Sequence, residues 1–411
     1  MTKYRDKIPN IVFYYGNNAG SIRETLQGMQ RYAKLYGPWG FQVVTGGVQN
    51  LQSLFSLKRN KNKISGLLAH ITEEEEVKFL NGIRIPVILL DPPPKLRTQC
   101  ETLLRFPFVI QNNVQIGELA ADYFLEKKMS HFAFVSPATG SYWAEEQFQA
   151  FSQRISENEL TVHLYSAPLS GNGSLVSPHR HFSHWLQKLP KPIALFATSD
   201  HVGQDILTVC QSAGLAIPYE IAILGVGNDE ILCESLFPTL SSIAVHWQRR
   251  GFIAAEMLDQ LMNQTPLKHN KNVYPAIGVV SRSSTDLPVH PATRQPGLHN
   301  DYVIRALEFI RINSGFSVRV VDVAKQTGVS RQWLERQFKK ELGHSILDEI
   351  RKNRMERICF LLSETILPIG KIAEMSGYEN ANHLRLLFKE EFKMSMTEYR
   401  NKFCTLSEQN Q

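Results

Sequence analysis

The chain has little cysteine and no long hydrophobic run. Its 411 residues hold five cysteines, at positions 100, 210, 233, 359 and 404, an odd number with no Cys-x-x-Cys spacing. That argues against a disulfide framework or a zinc knuckle and points to a reducing compartment. Nowhere do ~18 apolar residues run together, the length a membrane helix needs. The opening MTKYRDKIPNIVFYY has an apolar run of only about six residues and no small-residue cleavage site. A soluble, cytoplasmic protein without a membrane partner is expected. Also missing are a Gly-x-Gly-x-x-Gly fingerprint, a Walker phosphate loop and a Gly-x-Ser-x-Gly elbow. Gly16-Asn-Asn-Ala-Gly20 follows a strand-like run but has neither phosphate-binding spacing. His181 and His184, in His179-x-His181-x-x-His184, share a helix face, yet no carboxylate stands nearby at ligand spacing, so a solvated helix start is the simpler reading. Neither an enzyme nor a cofactor or metal is expected.

What is present is enough apolar residue, 43%, for sizeable cores, and a length that divides into roughly two to three domains. Lys and Arg number 45 against 39 Asp and Glu, a net charge of +6. So mild an excess permits an anionic partner, and its placement decides. Residues 319–357 hold ten Lys and Arg against six Asp and Glu, so most of the excess sits in a short stretch near the C-terminus.

From residue 8 to about 280, short apolar runs alternate with amphipathic segments. The runs are 8–15, 41–44, 64–70, 85–90, 131–135, 192–198 and 220–227, and the helical patterns include 21–37, 114–128 and 202–214. Continuous apolar strands separated by helices are what a parallel sheet covered on both faces requires. The fold class is therefore α/β and doubly wound, and a near-repeat of the series after residue 107 suggests a two-lobed domain. Residues 281–299 hold three prolines and no apolar periodicity. This places the two-lobed domain at 1–285 and a linker at 286–299. Beyond it the pattern is all-α, about seven helices by periodicity.

Two segments of that helical domain follow one grammar. A helix containing Val320, Val323 and Ala324 stops at Gly328, and Ser330 caps a second helix with Leu334 and Phe338 inward. Arg331, Gln332, Glu335, Arg336 and Lys339 then point outward. About fifty residues on, Ile369 to Tyr378 repeats the helix and its glycine stop. Asn380 caps a helix with Leu384, Leu387 and Phe388 inward and Asn382, His383, Arg385 and Lys389 outward. A long helix, about 345–363, with Ile346, Ile350, Met355, Ile358 and Leu362 at helical spacing, separates the two helix-turn-helix units. Recognition helices so held suit successive major-groove faces of one duplex.

Ile372-Ala, Gly377-Tyr378, Phe388-Lys389 and Tyr399-Arg400 resemble the signature of AraC/XylS-family transcription regulators, over roughly residues 300–405. Lys393 and Met396 stand where that family usually has Gly and Pro. The resemblance implies base reading by Gln332, Arg336 and Asn382, with Ser330, Arg331, Lys339, His383, Arg385 and Lys389 completing a DNA-binding face. A position that is often Arg in the family is Leu386 here. The partners implied are double-stranded promoter DNA and RNA polymerase.

The α/β part resembles the sensor domain of LacI/GalR-type repressors, which shares the periplasmic sugar-binding fold. The resemblance rests on Val43 to Leu90, Gln111-Asn112-Asn113, Thr198-Ser199-Asp200, Ile223-Leu-Gly225 and Arg282-Ser-Ser-Thr285. It implies a homodimer and a sugar-like effector between the lobes. Sugar hydroxyls need planar polar side chains and an aromatic face, which the doubly wound rule puts at strand C-termini. The candidates there are Asn18, Arg23, His70, Asp91, Trp143, Gln147, Asp200 and Asn228. Gln147 stands where related sensors often place Arg, and Gly227 where they place Asp. Those departures leave open a sensor that only dimerises. A third reading, from the residues alone, is a cytosolic binding protein whose helical tail docks protein.

Overall fold

Strands form where the sequence stays apolar without alternation, because both faces of a helix-covered parallel sheet are buried. The computed structural model describes residues 8–15, 21–56, 64–99, 103, 105–137, 142–167, 179–287, 300–378 and 380–403. They contain twelve strands: β1 (Asn10–Tyr15), β2 (Gly40–Thr45), β3 (Gly66–His70), β4 (Val87–Leu90), β5 (Phe108–Gln111), β6 (Phe132–Pro137), β7 (Val162–Ala167), β8 (Ile193–Ala197), β9 (Ile221–Gly227), β10 (Ser241–Val245), β11 (Lys271–Tyr274) and β12 (Ala276–Val280). The chain divides into two compact units, Met1–Asp286 and Leu287–Gln411. The linker expected over 286–299 lies, from residue 288 on, outside the described residues.

The first unit holds two six-stranded sheets, in the orders β11-β5-β4-β3-β1-β2 and β12-β10-β9-β8-β6-β7. The orders are the same up to the numbering, which is the lobe repeat expected from the sequence. All neighbours are parallel except β10 and β12. The strand order reverses between β1 and β3 in one lobe and between β6 and β8 in the other, and crevices for ligands open at the carboxyl ends of such strands.

The chain crosses between lobes three times. After β5 the helix Asn113–Glu126 packs on the helix Tyr142–Ser156 of the second lobe. After β10 the helix Trp247–Met262 returns to pack on the helix Ile22–Tyr36 of the first, and β11 then leads through Pro275 into β12. Two of these helix crossings need glycine. A Cβ on Gly251 would stand 1.9 Å from the Thr25 carbonyl oxygen, and one on Gly117 would stand 2.4 Å from that of Gln147. Both crossings bear on the cleft, since they bring Arg250 beside Thr25 and fix the backbone that carries Gln147.

The second unit is helical throughout its described residues: Asp301–Ile312, Val320–Thr327, Arg331–Leu342, Ile346–Glu364, Ile369–Met375, Ala381–Phe392 and Met396–Phe403. The long helix buries Ile346, Ile350, Met355, Ile358 and Leu362, as its periodicity requires. Glu335, read as outward, is half-buried and accepts a hydrogen bond from the Ile346 amide at 3.4 Å, so it caps the next helix. The two departures from the family pattern have structural counterparts. Gly343 ends Arg331–Leu342 at φ +80°, and Lys393 ends Ala381–Phe392 at φ +55°, the left-handed conformation that a Cβ disfavours. Met396 takes the first helical position, where Pro is favoured, and is 1% exposed against Phe388 and Leu384 in the core. Lys393→Gly should therefore raise the stability of the helical unit by about 1 kcal/mol. Denaturant unfolding of the full chain checks this, and an unchanged or lowered midpoint would show that Lys393 gains more from its side chain than it loses in backbone strain.

Candidate functional site

The carboxyl ends of the first sheet converge on one buried carboxylate. Asp91 follows β4 at φ +46°. Its Oδ1 accepts the Gln111 amide at 2.8 Å, and its Oδ2 accepts Arg250 Nη1 at 2.8 Å and the Tyr274 hydroxyl at 3.0 Å. Gln111 precedes the first crossing between lobes, Arg250 stands just after the second, and Tyr274 just before the third. The Asp91 carbonyl also accepts the Tyr142 hydroxyl, from the second lobe, at 2.9 Å. Arg250 is 1% exposed and donates further to Ser21 Oγ at 2.7 Å and Thr25 Oγ1 at 3.1 Å, with the Trp247 ring 4.8 Å away. Burial, and then the Asp91 charge, push the Tyr274 hydroxyl well above its ordinary pKa, so it stays a donor.

His70 ends β3, stacked on Tyr15 with ring centroids 4.5 Å apart. Burial pushes its pKa down to about 4; Asp91 opposes this and Arg250 adds to it. The imidazole is thus neutral at physiological pH, and its Nδ1 has no hydrogen-bond partner. In the second lobe the same is true of four buried oxygens: Asn113 Oδ1, Gln147 Oε1, Thr198 Oγ1 and Asn228 Oδ1. Asn113 Nδ2 is held by Glu146 at 2.9 Å, and the Asn228 amide donates to Ser242 Oγ at 3.0 Å. A buried polar atom left dry costs about 1–3 kcal/mol. His70, Asn113, Thr198 and Asn228 stand at or just beyond strand ends, and Gln147 on the helix Tyr142–Ser156.

Asp200, expected to bind a ligand, is built into the frame. Its Oδ2 accepts the Asp229 amide at 2.8 Å and its Oδ1 accepts the Ser242 hydroxyl. Burial raises its pKa and these hydrogen bonds oppose the rise. Gly227 has φ +125°, and a Cβ there would lie 3.1 Å from Asp200 Oδ2. The backbone and this carboxylate together account for glycine at that position. Asp91 is likewise committed to protein partners. Trp143 is half-buried beside Tyr142, Arg23 is exposed on the first turn of its helix, and Asn18 lies outside the described residues, as does the Gly16 to Gly20 loop. Sequence reasoning missed Arg250, Tyr274, Tyr15, Thr198 and Asn113. For Arg250 a signal existed, since it shares a helical stripe with Ala254 and Leu258, both buried.

In the helical unit Ser330 Oγ accepts the Trp333 amide at 3.3 Å, and Leu334 and Phe338 are fully buried. Arg331, Gln332, Arg336 and Lys339 are exposed. Asn380 Oδ1 accepts the amides of Asn382 at 2.8 Å and His383 at 3.3 Å, and Leu384 and Phe388 are fully buried. Asn382, His383, Arg385 and Lys389 are exposed, with Arg385 Nη1 on Asn382 Oδ1 at 2.7 Å. Two capped helices thus present outer faces, polar except for Leu386 on the second, of a size that suits a major groove.

Known proteins share both halves. A family described as periplasmic binding protein-like domain matches residues 121–285, and one described as helix-turn-helix domain matches residues 323–402. The xylose operon regulatory protein of Haemophilus influenzae is 28% identical over 343 residues, 83% of this chain and 86% of that protein. The multiple antibiotic resistance protein MarA of Salmonella typhimurium is 35% identical over 94 residues, 23% of this chain and 74% of that protein. A solved structure of the xylose-binding transcription activator xylR has the same fold, with a TM-score of 0.79 and 23% identity over 97% of this chain and 99% of that one.

The buried imidazole makes stability depend on acid. His70 titrates near 4 in the native protein against an ordinary 6.5. Between those values the unfolded chain binds a proton that the native state does not, so stability falls as the pH drops through that window. His70→Gln should remove this part of the slope in thermal midpoint against pH, and an unaltered slope would assign the titration to other groups.

Proposed function

Because the chain belongs to the AraC-type helix-turn-helix transcription regulators that carry a periplasmic-binding-protein-like sensor, we propose that it activates transcription under the control of a neutral sugar or related polyol held between its lobes. The family is one of DNA-binding regulators and not of enzymes. The observation that carries the ligand half of the reading is the set of buried polar atoms without partners: on Asn113, Thr198 and Asn228 just beyond strands, on Gln147 in the helix Tyr142–Ser156, and on His70 at the end of β3. Sugar hydroxyls are donors of the right kind for them. A sensor kept only for dimerisation has no use for such groups. Among the described residues the buried guanidinium of the cleft is spent on Asp91, Ser21 and Thr25, which favours an uncharged ligand over a sugar acid or phosphate. Hydroxyls that bridge His70 to the second lobe would stabilise the closed arrangement that Tyr142 and Asp91 already join, and a ligand shifts a conformational equilibrium by that differential affinity.

The xylose regulators named above make a pentose the first ligand to try. An activator works by contact with RNA polymerase, and its site of action is the cytoplasm; none of the described helices is long and apolar enough to cross a membrane. The chain is expected to act as a homodimer, in keeping with the sensor's likeness to LacI/GalR-type repressors.

On the DNA side, Gln332, Arg336 and Asn382 are assigned to base edges and Lys339 and Lys389 to phosphates. The experiment starts from the sequence that this protein selects out of a randomised duplex library. Arg336→Ala should relax the preference at one base pair and cost about 1–3 kcal/mol there only. Lys339→Ala should weaken all sequences alike and flatten the salt dependence by about one unit of slope. A uniform loss for Arg336→Ala would make that residue a phosphate contact.

A further inference from the structure

The two recognition helices, Arg331–Leu342 and Ala381–Phe392, have the same length and the same frame. Each begins after a side-chain cap, Ser330 or Asn380, and buries the fourth and eighth residues after it, Leu334 and Phe338 or Leu384 and Phe388. Each ends in a left-handed residue, Gly343 or Lys393. Equal caps and equal buried stripes put equal positions on the outer face. Gln332 corresponds to Asn382, Lys339 to Lys389, and Arg336 to Leu386.

Leu386 is 70% exposed and takes no part in the core built on Met355, Leu384 and Phe388. An exposed leucine on an ordinary surface means little. This one stands one turn beyond Asn382, between it and Lys389, at the register where the first unit presents a guanidinium. A branched apolar side chain cannot donate to guanine O6 and N7. One group on the base edges of the major groove is apolar, the C5-methyl of thymine.

We infer that Leu386 reads a thymine, packing its isobutyl group against the C5-methyl. The inference rests on the proposed reading of DNA by both helices and adds to it an asymmetry: amide plus guanidinium in the first unit, amide plus alkyl in the second. The thymine should stand at the same offset from the base pair read by Asn382 as the Arg336 base does from that of Gln332.

The test uses the full-length chain and its selected duplex, with each thymine of the second half replaced singly by deoxyuridine, which removes only the methyl. One replacement should weaken wild-type binding threefold to fivefold, the effect of one buried methyl group. Leu386→Ala, at an exposed position that leaves the core intact, should bind the thymine and deoxyuridine duplexes equally. Leu386→Arg should move the preference at that base pair toward guanine. A second half without thymine, indifference of the wild type to every replacement, or discrimination retained by Leu386→Ala would each overturn the assignment. These outcomes are distinct from failure of the underlying reading, in which no sequence is selected at all or Arg336→Ala leaves first-half selectivity unchanged.

Discussion

A guanidinium sealed from solvent against Asp91 holds the mouth of the first lobe together. Removing two charges from water is costly, and the geometry here compensates with a full set of donors around the carboxylate. Each of the three crossings between lobes contributes one of those donors, and a hydroxyl of the second lobe donates to the same residue's carbonyl. Asp91 therefore ties all three crossings to one point. Its left-handed backbone adds strain that only this surround makes tolerable. Breaking such a pair by removing one partner strands a buried charge, at a cost of about 3–5 kcal/mol.

The two lobes share a strand order and differ in their polar chemistry. Among the described residues of the first lobe, Asp91, Arg250, Tyr274, Ser21 and Thr25 satisfy one another, while the Nδ1 of His70 has no partner. In the second, Asp200 braces the turn after β9 while amide and hydroxyl oxygens stay unmatched. Related sensors often place Arg and Asp at the positions of Gln147 and Gly227. The exchange leaves a carboxamide and a bare backbone where those sensors carry a cation and an anion, which is why the proposed ligand is one met by neutral hydrogen bonds and not by charged bidentate pairs. Glycine at 227 follows from the frame, since Asp200 already fills the adjacent space.

Much of the fold was legible because its signals are local. The apolar runs became β1, β2, β3, β4, β6, β8 and β9, and the capped, glycine-stopped helices appeared where Ser330, Gly328 and Asn380 put them. Short strands of mixed polar and apolar sequence, such as β7, β10 and β11, gave no such signal, although β10 is buried throughout. At the cleft, residue type alone did not separate a carboxylate that binds ligand from one that braces the frame. Asp91 and Asp200 look alike in sequence, but their partners Arg250 and Ser242 come from elements 159 and 42 residues away. Long-range pairing of this kind is a property of the packed lobes. The outer faces of the two capped helices were easier, since those helices need only their own caps and stripes to expose Gln332, Arg336 and Asn382.

The central claim is that a neutral hydroxylated ligand fills the unmatched acceptors of the cleft and thereby alters DNA binding. It is tested most directly by fluorescence anisotropy of the full chain on its selected duplex, titrated with neutral pentoses and with the corresponding pentose phosphates. Thr198→Val, which deletes one unmatched hydroxyl with little change of shape, serves as the comparison. The account expects a neutral pentose to shift the DNA affinity of the wild type, the variant to need more of it, and the phosphates to be inert. A response to the phosphates alone, or a pentose response that Thr198→Val leaves unchanged, would contradict it.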